Sequence, residues 1–227
     1  MQNLNVSQIA QIFVFVTNLL KLFAMAKKEE FLFGIGWYKT ANETCKEWAK
    51  LYNIPIWKAA GIISAFSINN GWNQNVSWAE LFILSKFGKA ESKGMTVQKD
   101  YAQAIWDCKN YEEAKQVFLA EDKNTYKLYC FFVNIYKFDK VLESEVNLTP
   151  KEIGNLPVVT MDRHAISACL DDPTDTPKAS QTKGKNYLKY ALAYAIAAKT
   201  VGLTPQQFQA VVWLVVRRLK EVSKHHG

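Results

Sequence analysis

The octapeptide Val158-Val159-Thr160-Met161-Asp162-Arg163-His164-Ala165 sets a carboxylate, a guanidinium and an imidazole side by side at the end of an apolar run. An acid at the mouth of a helix is fixed by backbone N–H groups, and in a poorly solvated crevice its charge is directed at whatever binds. Such a carboxylate suits stabilisation of a developing cation or activation of water. The plainer roles of the same residues are a helix N-cap for Asp162 and a packing residue for His164.

A second constellation follows Ala65-Phe66-Ser67-Ile68, where Asn69, Asn70, Trp72, Asn73 and Asn75 crowd one short stretch. Amides present donors and acceptors together, which reading a base edge requires, and Trp72 offers a stacking face. The structural alternative is an Asn-Gly turn with Trp72 plugging the core. Lys183-Gly184-Lys185, with Lys178 and Lys189 nearby, can neutralise phosphates or simply be solvated loop lysines. In the last helix Gln209, Trp213 and Arg217 recur at four-residue steps on one face. The rest of that helix is apolar, so Arg217 needs a partner, and Asp162 is the expected one.

These residues must be positioned by helices. Ile9, Ile12, Phe13, Val16, Leu19, Leu20 and Phe23 recur at three- and four-residue steps and predict an amphipathic N-terminal helix with those side chains inward. Asn18 and Lys21 interrupt it short of a clean membrane span, and no basic leader precedes it. Further helices are predicted over 40–52, over 56–66 after Pro55, and over 76–87, 97–109, 111–119 and 123–136. Ala59, Ala60 and Gly61 allow close packing. A helix over 187–198 ends at Gly202, and Thr204-Pro205 opens the last one. Val158-Val159-Thr160 is too short to found a sheet, so the expected class is all-α. Residues 1–32 are expected as an N-terminal element and 33–227 as a single helical domain, with 171–185 a mobile polar loop.

With 49% hydrophobic residues among 227, the chain can bury a sizeable core and is not a disordered protein. Twenty-eight basic against 21 acidic residues give a net charge of +7, which favours an anionic partner such as nucleic acid. Cys45, Cys108, Cys130 and Cys169 form no C-x-x-C pair, and with three histidines they do not assemble a zinc motif. Buried thiols in a reducing cytoplasm are the expectation, with no metal, no membrane and no obligate protein partner. The phosphate-loop, dinucleotide, zinc-protease and nucleophile-elbow signatures are absent, so no cofactor is implied.

Taken in order, Trp37-Tyr38, the run from Ala59 through Ser67, Asn70-Gly71-Trp72-Asn73-Gln74-Asn75, residues 127–134, Val159-Thr160-Met161-Asp162-Arg163-His164-Ala165 and Gln209-Ala210-Val211-Val212-Trp213 resemble a phage-associated, divergent branch of the helix-hairpin-helix DNA glycosylase superfamily. The resemblance spans about residues 37–218. It implies a two-lobed helical body whose cleft takes a base flipped out of DNA, and a V-D-x-H aspartate that supports departure of the base. That role falls on Asp162, with His164 at the motif histidine and Arg163 in place of a small residue. The family's Leu-Pro-Gly-x-Gly hairpin is missing, since Leu156-Pro157 leads directly to Val158. The lyase lysine has no clear equivalent, Lys140 being only at a tolerable separation, so a monofunctional enzyme is expected.

The leading expectation is a DNA N-glycosylase excising a phage-type hydroxymethylated or glucosylated pyrimidine, with a role in antiviral defence. Asp162 and His164 are the catalytic residues of that reading. Ser67, Asn69, Asn70, Trp72, Asn75, Arg163, Gln209, Trp213 and Arg217 bind substrate, and Lys183, Lys185, Lys189 and Arg218 meet DNA phosphates. One alternative is a base-modifying transferase that releases pyrophosphate from hydroxymethylpyrimidine DNA. Another is a non-catalytic DNA-binding protein.

Overall fold

The computed structural model describes residues 5–119, 126–138, 159–172 and 185–225. Among them the regular structure is entirely α-helical, as the apolar periodicity predicts. In chain order the helices are α1 (Val6–Ala24), α2 (Lys28–Tyr52), α3 (Ile56–Phe66), α4 (Trp72–Ser85), α5 (Thr96–Asp107), α6 (Tyr111–Leu119), α7 (Tyr126–Tyr136), α8 (Arg163–Cys169), α9 (Lys185–Thr200) and α10 (Pro205–His225). The chain divides into two compact units, one comprising residues 1–38 with 138–227 and the other residues 39–137. The division falls within α2 and after α7, where the sequence suggests a boundary near residue 32.

In the first unit α1, α8, α9 and α10 pack on one another. Asn5 opens α1 with a capping box, its side chain accepting from the Gln8 N–H while the Gln8 side chain accepts from the Asn5 N–H. The buried stripe of α1 is Ile12, Phe15, Val16, Leu19 and Leu22. Phe13 and Ile9, expected inward, are 59% and 42% exposed, so the stripe is rotated from the sequence reading. Its register is held by Asn18, a buried residue whose Nδ2 donates to the Cys169 carbonyl at the end of α8 (2.9 Å). By length and composition α1 could cross a membrane, yet its buried stripe belongs to the core of this unit.

Residues 28–38, for which the sequence predicts no helix, form the first part of α2. Gly34 there is demanded by packing: a Cβ would lie 2.6–2.8 Å from Val211 of α10, including its backbone. Thr204 and Gln207 cap α10 reciprocally, and Gly202, with φ of 71°, turns the chain out of α9.

The second unit is built around α3, which is buried along its length except for Ile56 and Lys58. Ala59, Ala60 and Gly61 let α5 approach, a Cβ on Gly61 falling 2.8 Å from Ile105 Cγ2. Phe66, Ile83, Ile105, Phe118 and Phe132 fill the core. Two buried polar groups tie helices together: Ser64 Oγ donates to the Leu128 carbonyl (2.6 Å), and Asn42 Nδ2 to the Ile135 carbonyl (2.8 Å). Cys45, Cys130 and Cys169 are buried thiols and Cys108 is half-buried.

Candidate functional site

Asp162 is the N-cap of α8, in extended conformation, and its Oδ1 accepts from the Ala165 N–H at 2.8 Å. No hydrogen bond is made to its other oxygen among the described residues, and the side chain is half-buried. The residue is therefore neither sealed in the core nor fully exposed.

The extended segment leading to it is pinned by tyrosines that sequence reasoning missed. Tyr187 of α9 donates its hydroxyl to the Val159 carbonyl (2.6 Å) and accepts from the Met161 N–H (3.2 Å). Tyr38 donates to Thr160 Oγ1 (3.0 Å) and also lies 3.4 Å from Gln209 Oε1. Tyr194 donates to the Ala165 carbonyl (3.1 Å). Val159, Thr160 and Met161 are all buried. A segment held through the backbone at Val159 and Met161 and through the side chain of Thr160 leaves Asp162 little freedom, which an electrostatic role requires.

His164 lies in the first turn of α8, half-buried, its ring meeting the Trp213 indole edge-on. Burial depresses its basicity most; Asp162 opposes that shift, while Lys220, Arg163 and Arg217 reinforce it. Among the described residues its buried Nδ1 has no hydrogen-bond partner. The imidazole is thus held toward the neutral form among three cations.

Arg217 does not pair with Asp162, as the sequence reading expects. Its guanidinium lies over the Trp213 ring, 4.8 Å from the centroid, and 3.7 Å from Glu221, one turn along its own helix. A nearby i,i+4 carboxylate satisfies it without a long-range partner. Arg163 is exposed. Arg218, expected to meet phosphate, is bonded to Glu30 (2.7 Å) and to the Met25 carbonyl (2.9 Å), and Lys189 donates to Gln11 (2.8 Å). Lys140, Lys178 and Lys183 lie outside the described residues, as does most of the expected mobile loop over 171–185; Lys185 begins α9.

Asp162, Arg163, His164, Gln209, Trp213 and Arg217 all belong to the first unit, whereas Ser67, Asn69, Asn70, Trp72 and Asn75 belong to the second. There the expected amide turn is partly helical, because α4 starts at Trp72. Asn69 is exposed with φ of 58°. Asn70 Nδ2 donates to the Phe66 carbonyl (3.0 Å) and Ser67 Oγ to the Ser64 carbonyl (2.7 Å), so both finish α3 rather than point outward as readers. Gln98 Nε2 satisfies the Ile68 carbonyl (2.6 Å). Trp72 is half-buried, and Asn75 is buried with no partner for Oδ1 among the described residues.

A family model described as "Family of unknown function (DUF7178)" matches residues 1–220, and the chain belongs to that family. No curated protein and no solved structure matches the chain.

Proposed function

We propose that this member of the DUF7178 family is a DNA base-excision enzyme that removes an enlarged, modified pyrimidine and leaves an abasic site. The observation that carries the reading is Asp162, half-buried, fixed through one oxygen by the Ala165 N–H and with the other oxygen unbonded among the described residues. As the glycosidic bond breaks, positive charge develops on the sugar, and a fixed carboxylate in a poorly solvated position stabilises it while orienting water toward C1′. Neutral His164 beside it can pass a proton through water. Arg163, Arg217 and Lys220 supply the local positive charge for the flanking phosphates, in keeping with a net charge of +7. Arg218 and Lys189, already bonded within the chain, are poorer candidates for that task.

Excision of a base found only in viral DNA would make the protein a cytoplasmic antiviral factor. A second reading makes the same carboxylate part of a base-modifying transferase. It is favoured by one sequence feature, the missing glycine hairpin before Val158, since that hairpin is what grips a duplex. Incubation with unmodified, hydroxymethylated and glucosylated DNA, with mass analysis of what is released, separates them. Free base supports excision, pyrophosphate the transferase, and binding without any product a non-catalytic DNA-binding protein.

A further inference from the structure

Six buried side-chain polar atoms in the described chain have no hydrogen-bond partner, and in the first unit they belong to only two residues, His164 and Gln206. Gln206 is the more extreme case. It is 1% exposed, and both its Oε1 and its Nε2 are unpaired. Burying a carboxamide with neither end satisfied forfeits its hydration with nothing in return, so such residues are rare unless something completes them. The first turn of α10 does not explain it, because Thr204 and Gln207 already cap that helix reciprocally.

The residue's place in the helix does. Gln206, Gln209, Trp213, Arg217 and Lys220 recur at three- and four-residue steps, and so share one stripe of α10. That stripe meets the Asp162 segment at two points: Gln209 through Tyr38, which also bonds Thr160, and Trp213 through His164. Gln206 lies two turns before Trp213, about 10 Å along the axis, the scale of one nucleoside. Of the two first-unit residues with unfilled hydrogen-bonding capacity, Gln206 thus begins this stripe and His164 packs against its middle, at Trp213.

We infer that Gln206 is a specificity-determining residue whose carboxamide reads the amide edge of an uncharged heterocycle, of the pyrimidine class, bound along α10 with its sugar toward Asp162. The inference rests on the excision reading for its substrate class. A carboxamide offers one donor face and one acceptor face in a plane, the complement of the adjacent N–H and C=O of a pyrimidinone. The alternative filler is a buried water.

The test titrates the full chain with thymidine, 2′-deoxycytidine, 2′-deoxy-5-hydroxymethylcytidine and 2′-deoxyadenosine, by calorimetry and by the Gln206 side-chain amide resonances. At least one pyrimidine nucleoside should bind and shift those resonances, with 2′-deoxyadenosine at least tenfold weaker. Gln206→Met, similar in volume and without polar atoms, should fold with unchanged or raised Tm and lose that pyrimidine affinity at least tenfold. A Gln206→Met variant that gains stability and keeps its affinity assigns the unpaired carboxamide to water and overturns the proposal, as does a wild-type chain that binds none of the four. Should the variant not fold, the wild-type resonances alone decide. Failure of the excision reading looks different: nucleoside affinity would depend on Gln206 while no DNA tested yields a free base.

Discussion

The imidazole of His164 and the indole of Trp213 meet edge to face, ring centroids 6.5 Å apart and planes at 84°. One ring comes from the turn that carries Asp162 and the other from α10, so this contact ties the carboxylate's helix to the cationic stripe of its neighbour. It also keeps water from the imidazole, whose basicity burial depresses and nearby Lys220, Arg163 and Arg217 depress further.

A pH dependence with a definite sign follows. The folded chain binds the His164 proton less readily than the unfolded chain, so stability conferred above the ordinary value of 6.5 is lost as pH falls below it toward the depressed folded value. Thermal denaturation between pH 7.5 and 5 should show a loss that His164→Gln reduces. Trp213→Ala, by hydrating the ring, should move the imidazole titration seen by NMR upward. A native His164 titrating at or above 6.5 contradicts this account.

Tyr187 acts on Asp162 through the backbone. Its hydroxyl satisfies the Val159 carbonyl and the Met161 N–H, and Tyr187→Phe leaves both buried groups short of a partner. The expected loss is about 1–3 kcal/mol in chemical denaturation. Base release should fall as well, through kcat more than KM, because the residue positions the carboxylate without binding substrate. Unchanged stability would mean that the segment is held by other contacts.

Two glycines of α2 should respond in opposite directions. Gly34→Ala drives a methyl into the Val211 backbone and should destabilise by about 1–3 kcal/mol. Gly36 has nothing within 4 Å of the position a Cβ would take, and Gly36→Ala should stabilise by roughly 0.5–1 kcal/mol through helix propensity. Equal effects on Tm would refute the close α2–α10 approach.

Arg218 is assigned to structure. Burial raises the Glu30 carboxyl, but the hydrogen bond and charge of Arg218, with the Lys27 N–H, outweigh it and hold the group below its usual range. Its contribution is therefore present above the ordinary glutamate range and is lost as pH falls through the depressed value. Arg218→Ala should lower Tm and leave the salt slope of DNA binding unchanged, whereas Arg217→Ala or Arg163→Ala should reduce that slope by about 1. A reduced slope for Arg218→Ala would return that residue to the phosphate contacts.

The helical class is readable because apolar periodicity is local, and Asp162 is readable as a helix cap because an acid before a helix is a local signal. The register of α1 is not. Its apolar residues admit two overlapping stripes, and the choice is made by Asn18 bonding Cys169, a contact distant in sequence. The first part of α2 was hidden by Gly34 and Gly36, helix-weakening residues, the first of which the packing against Val211 requires. Tyr187 and Tyr194 carry no motif, and the Trp37-Tyr38 pair gives Tyr38 no role; only their bonds to residues 159–165 reveal it. The apolar helix suggests a distant partner for Arg217, but Glu221 stands one turn away, and this local pairing prevails.

The most direct measurement compares wild type with Asp162→Asn on glucosylated or hydroxymethylated DNA, counting heat-labile abasic sites. Asparagine caps a helix about as well as aspartate, so the variant should keep its Tm, whereas Asp162→Ala should cost about 0.5–2 kcal/mol. The account predicts abasic sites with the wild-type protein and a loss of at least 1,000-fold, on the order of 4 kcal/mol of transition-state stabilisation, in the folded Asp162→Asn chain. Abasic sites formed equally by a folded Asp162→Asn protein, or none formed by the wild type on any modified DNA, would contradict it.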